Sequence, residues 1–237
     1  MRATTTSTSV WRNRDFRLVM FGGTVNDIGD WMLSLALPVF VFTETGSGRD
    51  TAVVLLIDLL VGVAFGPFCG ALVDRWNLRR TIISTNVLQA LTLLPLLAVN
   101  HDRVWLVYVV SAAQALLMTV NNPASWALVP RVVTEDQLVH AGASFSAGGS
   151  IARLVGAPIG GYLVAKHGLT AVVLVDSATF ITVALAVVFL RTDTAPLAKA
   201  SDAVDTDESG VVAGWRVIRT KPVLVGYLVV KSLVHVS

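Results

Sequence analysis

The sequence predicts an all-α membrane protein with six membrane-spanning helices and the beginning of a seventh. Of its 237 residues, 54% are hydrophobic and only 14% are charged, and the mean hydropathy is +0.69. This composition is too apolar for an ordinary soluble domain. The apolar runs each extend over about 20 residues, the length that crosses the hydrocarbon core of a bilayer. The basic residues lie between these runs, as expected when charge determines topology.

Cutting the chain at the polar breaks gives the individual spans. They lie roughly at 18–42, 52–72, 81–99, 104–128, 141–165 and 169–190. A last apolar run begins near Val223 and reaches Ser237, which is too short to cross. The predicted parts are a cytoplasmic N-terminus (1–17), a six-helix bundle (18–190), a cytoplasmic interdomain linker (191–221) and an incomplete seventh helix (222–237). The opening MRATTTSTSV lacks the pattern of a cleaved signal peptide, so the first span should stay as an anchor.

The distribution of Lys and Arg predicts the orientation. One side of the membrane carries only Arg49, Arg103 and Lys166 between the spans. The opposite side carries Arg2, Arg12, Arg14, Arg17, Arg75, Arg79, Arg80, Arg131, Arg191, Lys199, Arg216, Arg219 and Lys221. By the positive-inside rule, both ends of the six-helix unit face the cytoplasm, as in a multi-pass protein of the inner or cell membrane.

The loop after the second span, in GALVDRWNLRR (70–80), concentrates charge in an apolar chain. Arg75, Arg79 and Arg80 are explained in part by the positive-inside rule, but acidic residues contribute little to orientation, so Asp74 needs another reason. It follows a ladder of glycines spaced four apart, Gly62, Gly66 and Gly70, which lets another backbone approach closely. A charge beside a close helix contact suggests a conformational latch.

These residues resemble the G-x-L-x-D-R-x-G-R-R signature of the major facilitator superfamily, in the expected loop between helices two and three. Asn77 replaces the later glycine, and Leu78 occupies a usually basic position. The resemblance implies that the loop latches the cytoplasmic side of two helical bundles when a transporter opens outward. The latch would comprise Gly70, Asp74, Arg75, Arg79 and Arg80.

Three further stretches resemble the exporter branch that includes the enterobactin and macrolide efflux proteins. They are NDIGDWMLSLALPVFVF in helix one, NPASWALVPRVVTEDQLVHA after helix four and GWRVIRTKPVL before helix seven. The resemblance implies secondary active efflux of a small molecule by alternating access, with an ion gradient, most simply protons, as the energy source. A lysophospholipid flippase would look similar at this level.

Helices two and five are expected to correspond if the half-molecule consists of two inverted three-helix repeats. GPFCGALV (66–73) and GAPIGGYLV (156–164) are alike, and the second resembles the family's antiporter signature with its proline one place late. The predicted helix-packing residues are Gly62, Gly66, Gly156, Pro158, Gly160 and Gly161. Close packing without any further role is the alternative.

Charges inside the predicted spans form the candidate substrate or proton site, since each costs about 2.5–3.5 kcal/mol at the membrane centre on insertion scales. Asp27 and Asp30 lie three residues apart and therefore share a face of helix one, together with Asn26. That face is expected to line the central cavity, where a carboxylate could exchange a proton or hold a cation. The candidate residues are Asp27, Asp30, Asp58 and Arg153. A static Asp30–Arg153 pair is the alternative, and Asp176 is expected to be a structural hydrogen-bonding residue.

Other function classes find no support in the sequence. It has no glycine-rich phosphate loop with its lysine and no paired histidine and carboxylate at metal spacing, so no enzyme activity, cofactor or metal is expected. Cys69 is a single cysteine, and basic residues do not cluster on one face, so nucleic acid is not an expected partner.

The expected partners are a small-molecule substrate, the lipid bilayer and a second six-helix bundle. Alternating access requires two bundles around a central site, so we expect this sequence to be the N-terminal portion of a chain about twice as long. A truncated product without transport activity and an assembly of two half-chains are the alternatives.

Overall fold

The computed structural model describes residues 9–73 and 76–192, and of residues 67, 68 and 70–72 only the backbone. Within these ranges all regular secondary structure is helical. The α-helices are α1 (Arg14–Thr45), α2 (Gly48–Val73), α3 (Leu78–Leu93), α4 (Trp105–Val132) and α5 (Leu138–Val188). Short 3₁₀ segments lie at Val10–Arg12, Leu94–Ala98, His101–Arg103 and Glu135–Gln137. Apart from residues 191 and 192, the predicted linker and seventh helix lie outside the described residues.

Asparagine and glycine residues define where the helices begin and end. The Asn13 side chain accepts hydrogen bonds from the backbone N–H groups of Asp15 and Phe16 and so caps α1. Its amide nitrogen donates to the Val132 carbonyl at 2.6 Å, which joins the start of α1 to the end of α4. Gly46 ends α1 in the left-handed conformation, with φ 63°. The Asn77 side chain accepts a hydrogen bond from the backbone N–H of Arg80 and so caps α3.

Helix α5 contains a non-helical residue, Gly168, with φ 73° and ψ 179°. We refer to residues 138–167 as the first arm and 169–188 as the second arm. Along the first arm, Gly148 lies against Thr24 and Gly160 against Met32, so this arm runs parallel to α1. Along the second arm the order reverses, because Gly29 lies against Asp176 and Gly22 against Ala186. The chain therefore turns back at Gly168, and both arms pack on α1.

Two apolar clusters occupy opposite ends of the helices. One surrounds Met32, Leu93, Val172 and Phe180, and the other surrounds Phe16, Leu78, Ile82 and Leu128. Among the described residues, the helical stretches long and apolar enough to cross a membrane are Arg14–Thr45, Leu78–Ala98 and Glu135–Val188. The prediction of an all-helical membrane protein agrees with this architecture.

The predicted count of six helices is not confirmed as six separate elements. The described residues form five α-helices, because the segments expected at 141–165 and 169–190 are continuous within α5 except at Gly168. The predicted break at 166–168 coincides with Gly168, and the reversal is made by this one glycine without a loop. The other boundaries lie within a few residues of those expected from hydropathy, except that α3 ends at Leu93 and continues only as the 3₁₀ segment Leu94–Ala98.

Candidate functional site

A layer of buried and half-buried polar side chains separates the two apolar clusters. It lies halfway along α1, α3, α4 and the second arm of α5, in a part of the protein that the surrounding helices close off from water. Its members are Asn26, Asp30, Thr85, Asn86, Gln89, Ser111, Gln114, Asn121, Asp176 and Thr179. Polar groups at this depth are costly in a membrane and are characteristic of functional sites. We call these residues the polar layer.

The α1 part of the polar layer contains the predicted Asp30. Its carboxylate accepts a hydrogen bond of 2.8 Å from the side-chain amide of Asn26, one helical turn earlier. The amide oxygen of Asn26 is buried and has no hydrogen-bond partner among the described residues. Asp27 is half-buried, without a hydrogen bond to any other residue in the described ranges. Asp27 and Asp30, the pair predicted from the sequence, therefore lie on α1 with carboxylate oxygens that can accept further hydrogen bonds.

Asp176 faces α1 from the second arm of α5. It is fully buried, and one carboxylate oxygen accepts from the Thr179 hydroxyl at 3.1 Å. The other oxygen has no partner among the described residues. Both side chains lie directly against Gly29, where a side chain would collide with them. The absence of a Cβ at Gly29 thus allows this carboxylate to lie against the helix that carries Asp27 and Asp30.

Helices α3 and α4 contribute an amide network that the sequence analysis did not identify. The side-chain oxygen of Asn121 accepts from Thr85 at 2.9 Å and from Asn86 at 3.1 Å. Gln114 donates to the Gln89 carbonyl at 2.9 Å and to the Thr92 hydroxyl at 3.0 Å. Asparagine and glutamine residues within the predicted spans could have indicated this network. The candidate site was instead predicted from charged residues alone. The network joins the two helices at the level of the polar layer.

Arg153 lies on the first arm of α5 and approaches an aromatic ring of α1. Its guanidinium carbon is 4.9 Å from the centroid of the Trp31 ring, a cation–π geometry. The ion pairs among the described residues are Arg14–Asp15 and His101–Glu44. The alternative of a static Asp30–Arg153 pair is therefore not seen, since the arginine stacks on Trp31 instead. Arg153 and the remaining candidate, Asp58 on α2, are both exposed.

The predicted latch is only partly described. Asp74 and Arg75 lie outside the described residues, and Gly70 lies near the end of α2. The Arg79 side chain donates a hydrogen bond to the Val188 carbonyl at the end of α5. Arg80 is exposed at the start of α3. Arginine at a helix C-terminus satisfies a carbonyl that lacks an intrahelical partner and interacts favourably with the helix dipole.

A second contact on the same side joins the two ends of the described bundle. One Asp15 carboxylate oxygen accepts hydrogen bonds from the backbone N–H groups of Arg191 and Thr192 and from the Thr192 hydroxyl, at 2.7–3.0 Å. Arg14 donates to the Phe189 carbonyl at 3.2 Å. The start of α1 thereby holds the end of α5.

The predicted packing glycines divide into two sets. A Cβ on Gly156 would lie 2.6 Å from the Ile28 carbonyl oxygen, and a Cβ on Gly160 would lie 2.6 Å from the Met32 Cα, so both require glycine. Gly161 lies beside Leu35, and Pro158 is exposed within α5. In contrast, a Cβ on Gly62 or Gly66 of α2 would have no atom of the described chain within 4 Å. The two glycine ladders therefore have different surroundings.

No group of three or more metal-ligating side chains occurs within residues 9–73 and 76–192. The carboxylates of the polar layer are accompanied by amides and hydroxyls instead. Carboxylates can exchange protons, and amides and hydroxyls can form hydrogen bonds with the polar parts of a small molecule.

Comparison with known proteins identifies the family. The model of the Major Facilitator Superfamily matches residues 19–235. The chain belongs to this superfamily. Its members are membrane transporters, and the helical stretches described above agree with an integral membrane protein.

Several curated relatives are transporters of the same type. The chain is 25% identical over 179 residues to macrolide efflux protein A of Streptococcus pyogenes, covering 74% of this chain and 44% of the relative. It is 26% identical over 215 residues to the multidrug efflux pump Tap of Mycolicibacterium fortuitum, covering 87% and 53%. It is 24% identical over 171 residues to the uncharacterized MFS-type transporter YfiS of Bacillus subtilis, covering 72% and 40%. The chain thus spans about half the length of these relatives. None of the solved structures matches it.

Proposed function

We propose that this chain is the N-terminal half of a secondary active exporter that moves amphipathic drugs, macrolides among them, out of the cell. The polar layer is the observation that carries this proposal, because a buried set of acids and amides has no evident use in a passive membrane anchor. The names of the relatives, a macrolide efflux protein and a multidrug efflux pump, support the substrate class.

The six-span arrangement of the major facilitator fold belongs to this proposal. A straight helix of 51 residues would be roughly 75 Å long, more than twice the hydrocarbon thickness of about 30 Å. The opposite directions of the two arms along α1 support two separate crossings that meet at Gly168. With 26 and 28 residues, α2 and α4 are also long enough to cross. Six crossings place residues 1–17 and the linker 191–221 on one side, which the positive-inside rule assigns to the cytoplasm.

The chemistry of the site follows from the position of its acids. Asp27 and Asp30 lie on α1, and Asp176 approaches the same helix at Gly29. Carboxylates near one another and away from water share or exchange protons more readily than they all ionise. We propose that protonation of Asp30 couples export to the proton gradient. Arg153 and Trp31 would then bind an aromatic or anionic part of the substrate.

Alternating access requires a second bundle, which we propose is supplied by the remainder of the same chain. In this arrangement Gly70, Asp74, Arg75, Arg79 and Arg80 latch the cytoplasmic side. The Arg79 contact with the Val188 carbonyl supports an anchoring role for the loop, because it ties α3 to the end of α5 within the described half. The unfilled surroundings of Gly62 and Gly66 leave α2 accessible to a neighbouring helix.

Transport by the full-length chain in everted membrane vesicles tests the proposal. With a radiolabelled macrolide and an imposed proton gradient, Asp30→Asn is expected to lower gradient-driven accumulation by about tenfold or more, as for loss of a functional intramembrane acid. Exchange of labelled for unlabelled macrolide at equal pH is expected to persist, because exchange needs no net proton movement. Asp102→Asn, at an exposed position between α3 and α4, is the matched control and should leave both activities unchanged.

Gradient-driven accumulation at the wild-type level in Asp30→Asn would exclude the proton-coupling role. Loss of both accumulation and exchange, at normal protein abundance, would assign Asp30 to substrate binding instead. Failure of the wild-type chain to transport any macrolide or other amphipathic drug would contradict the substrate class.

A further inference from the structure

The place where the second arm of α5 meets α1 is rich in oxygen atoms that accept hydrogen bonds. It is centred on Gly29, because the Asp176 carboxylate and the Thr179 hydroxyl lie directly against this residue. Asp30 follows Gly29 in the chain. Asn26 lies about one turn earlier, with its amide nitrogen 2.8 Å from the Asp30 carboxylate. We call Asn26, Asp30 and Asp176 the acceptor cluster.

Two oxygen atoms of the acceptor cluster are buried without a hydrogen-bond partner in the described ranges. They are the amide oxygen of Asn26 and one carboxylate oxygen of Asp176. Asn26 is 7% exposed and Asp176 is 0% exposed. The Asn26 amide bonds to Asp30 through its nitrogen, so the free oxygen of the same amide lies beside the cluster. A buried acceptor without a donor is costly, so these atoms indicate a bound species that is positive or donates hydrogen bonds.

The negative charge of the acceptor cluster is not balanced by a basic side chain in the described part of the molecule. The ion pairs of the described residues include neither carboxylate, and Arg153 lies over the Trp31 ring. The carboxylates of Asp30 and Asp176 are close enough for their charges to interact. Buried charges in proteins are paired or coordinate metal ions. A proton on Asp30 would still leave the charge of Asp176 without a counter-ion.

The chemistry of the cluster favours a small monovalent cation over water or a divalent metal. Carboxylate and amide oxygens are ligands of hard cations. Water would satisfy the free acceptors but leave the charge unbalanced. Ca²⁺ takes about six to eight oxygen ligands, whereas the cluster offers three side chains, and one positive charge is sufficient when one of its two carboxylates is protonated. The close approach of the second arm to Gly29 leaves little space, which favours Na⁺ over the larger K⁺.

The burial of the two carboxylates indicates how an ion would reach the cluster. Asp30 is half-buried, whereas Asp176 is fully buried. An entering cation therefore meets Asp30 first and continues to Asp176. The Thr179 hydroxyl donates to one Asp176 oxygen at 3.1 Å, which holds the carboxylate in place and leaves its second oxygen for the ion.

We propose that Asn26, Asp30 and Asp176 bind one Na⁺ ion between α1 and the second arm of α5. The free amide oxygen of Asn26, the free carboxylate oxygen of Asp176 and the carboxyl group of Asp30 coordinate the ion. By joining the two helices, the ion stabilises the bundle. The proposal rests on the polar layer that also carries the proposed function, and it shares Asp30 with that site.

Thermal unfolding of the full-length chain in detergent tests the proposal, with Na⁺ alone as the probe. The unfolding midpoint is measured while NaCl replaces choline chloride at constant ionic strength and pH. Because a ligand that binds only the folded protein stabilises it, Na⁺ is expected to raise the midpoint by several degrees in a saturable manner. KCl should raise it less. Equal midpoints in NaCl and choline chloride would overturn the proposal.

Three variants make the result specific to the acceptor cluster. Asp176→Asn should abolish the effect of Na⁺, and Asn26→Leu should raise the half-saturating Na⁺ concentration by about tenfold or more. Asn121→Leu is the matched control, because this amide of the same layer already accepts two hydrogen bonds. It should lower the midpoint without changing the half-saturating concentration. An Na⁺ effect of wild-type size in Asp176→Asn, or the same half-saturating concentration in Asn26→Leu and Asn121→Leu, would overturn the proposal.

Failure of the Na⁺ site and failure of the proposed function are distinguishable. Proton-driven accumulation of a macrolide by a chain that Na⁺ does not stabilise would overturn the Na⁺ site and leave the transport proposal intact. Saturable stabilisation by Na⁺ in a chain that accumulates no macrolide would support the Na⁺ site and contradict the transport proposal.

Discussion

The Asp15 carboxylate and the Thr192 hydroxyl are joined by a 2.7 Å hydrogen bond between the first turn of α1 and the residues that follow α5. The same carboxylate oxygen accepts two backbone N–H groups, from Arg191 and Thr192. The contact therefore joins the start of α1 to the last residues that the structure describes after α5. An acid at the start of a helix is also favoured by the helix dipole, which explains why α1 can supply it.

Removing the carboxylate should destabilise the bundle. Asp15→Ala leaves backbone N–H groups without acceptors and is expected to cost about 1.5–3 kcal/mol, the range for hydrogen bonds to charged groups. Thr192→Val removes one of the three bonds and should cost about 1 kcal/mol. The measurement is SDS-induced unfolding in mixed micelles, with the exposed Asp102→Ala as control. Equal stability of Asp15→Ala and the control would show that the contact contributes nothing.

The close seam between α1 and the first arm of α5 yields a second prediction. A Cβ at Gly160 would meet backbone atoms of Met32, which cannot move aside as a flexible side chain would. Gly160→Ala is therefore expected to lower the unfolding free energy by about 1–3 kcal/mol, the usual cost of overpacking. Gly149→Ala is the matched control, because it lies on the same arm with open space around it. The two thermal midpoints in detergent should differ by several degrees, and equal midpoints would contradict the geometry.

Hydropathy and glycine spacing predicted much of this architecture, since long apolar runs in a membrane have few alternatives to the helix. The starts and ends of α2 and α4 lie within a few residues of the expected spans, apart from extensions into the polar flanks. The break between the spans 141–165 and 169–190 was expected at 166–168, but it was not predictable that a single glycine with positive φ would make the reversal without a loop. The partner of Arg153 was also not predictable. Charge complementarity favoured an acid, but the guanidinium lies over the Trp31 ring.

The amide network between α3 and α4 gives a third prediction. Asn121→Leu removes the acceptor shared by Thr85 and Asn86. Side-chain hydrogen bonds within membranes contribute on average about 0.6 kcal/mol and at most about 1.7 kcal/mol, so a loss of about 1–2 kcal/mol is expected for the pair. Asn121→Gln retains a neutral amide acceptor and should be closer to the wild type when both are compared by SDS-induced unfolding. Asn121→Leu at wild-type stability would mean that the backbone carbonyls to which Thr85 and Asn86 also donate are sufficient for these groups.

The sequence indicated the acids of the polar layer, but it did not indicate how the second arm of α5 comes to lie against α1. Asp30 and Asp176 of the layer, like the neighbouring Asp27, are conspicuous because charges are rare in apolar spans. Gly29, which allows Asp176 and Thr179 to lie against α1, has no distinguishing feature in the sequence. Its role depends on a contact between residues that are far apart along the chain, and hydropathy carries no information about such pairs. The same limit applies to the bonds from Asp15 to Thr192.

The reversal at Gly168 yields a fourth prediction. With φ 73° and ψ 179°, this residue occupies a backbone region that is essentially restricted to glycine, whereas Gly46 has φ 63° in the left-handed helical region that asparagine tolerates. Because a Cβ on either glycine would have no atom of the described residues within 4 Å, only backbone strain distinguishes the two positions. Gly168→Asn is expected to cost about 1–3 kcal/mol, and Gly46→Asn well under about 1 kcal/mol. Unfolding in mixed micelles measures both, and equal losses in the two variants would show that the two arms of α5 do not depend on glycine to reverse direction.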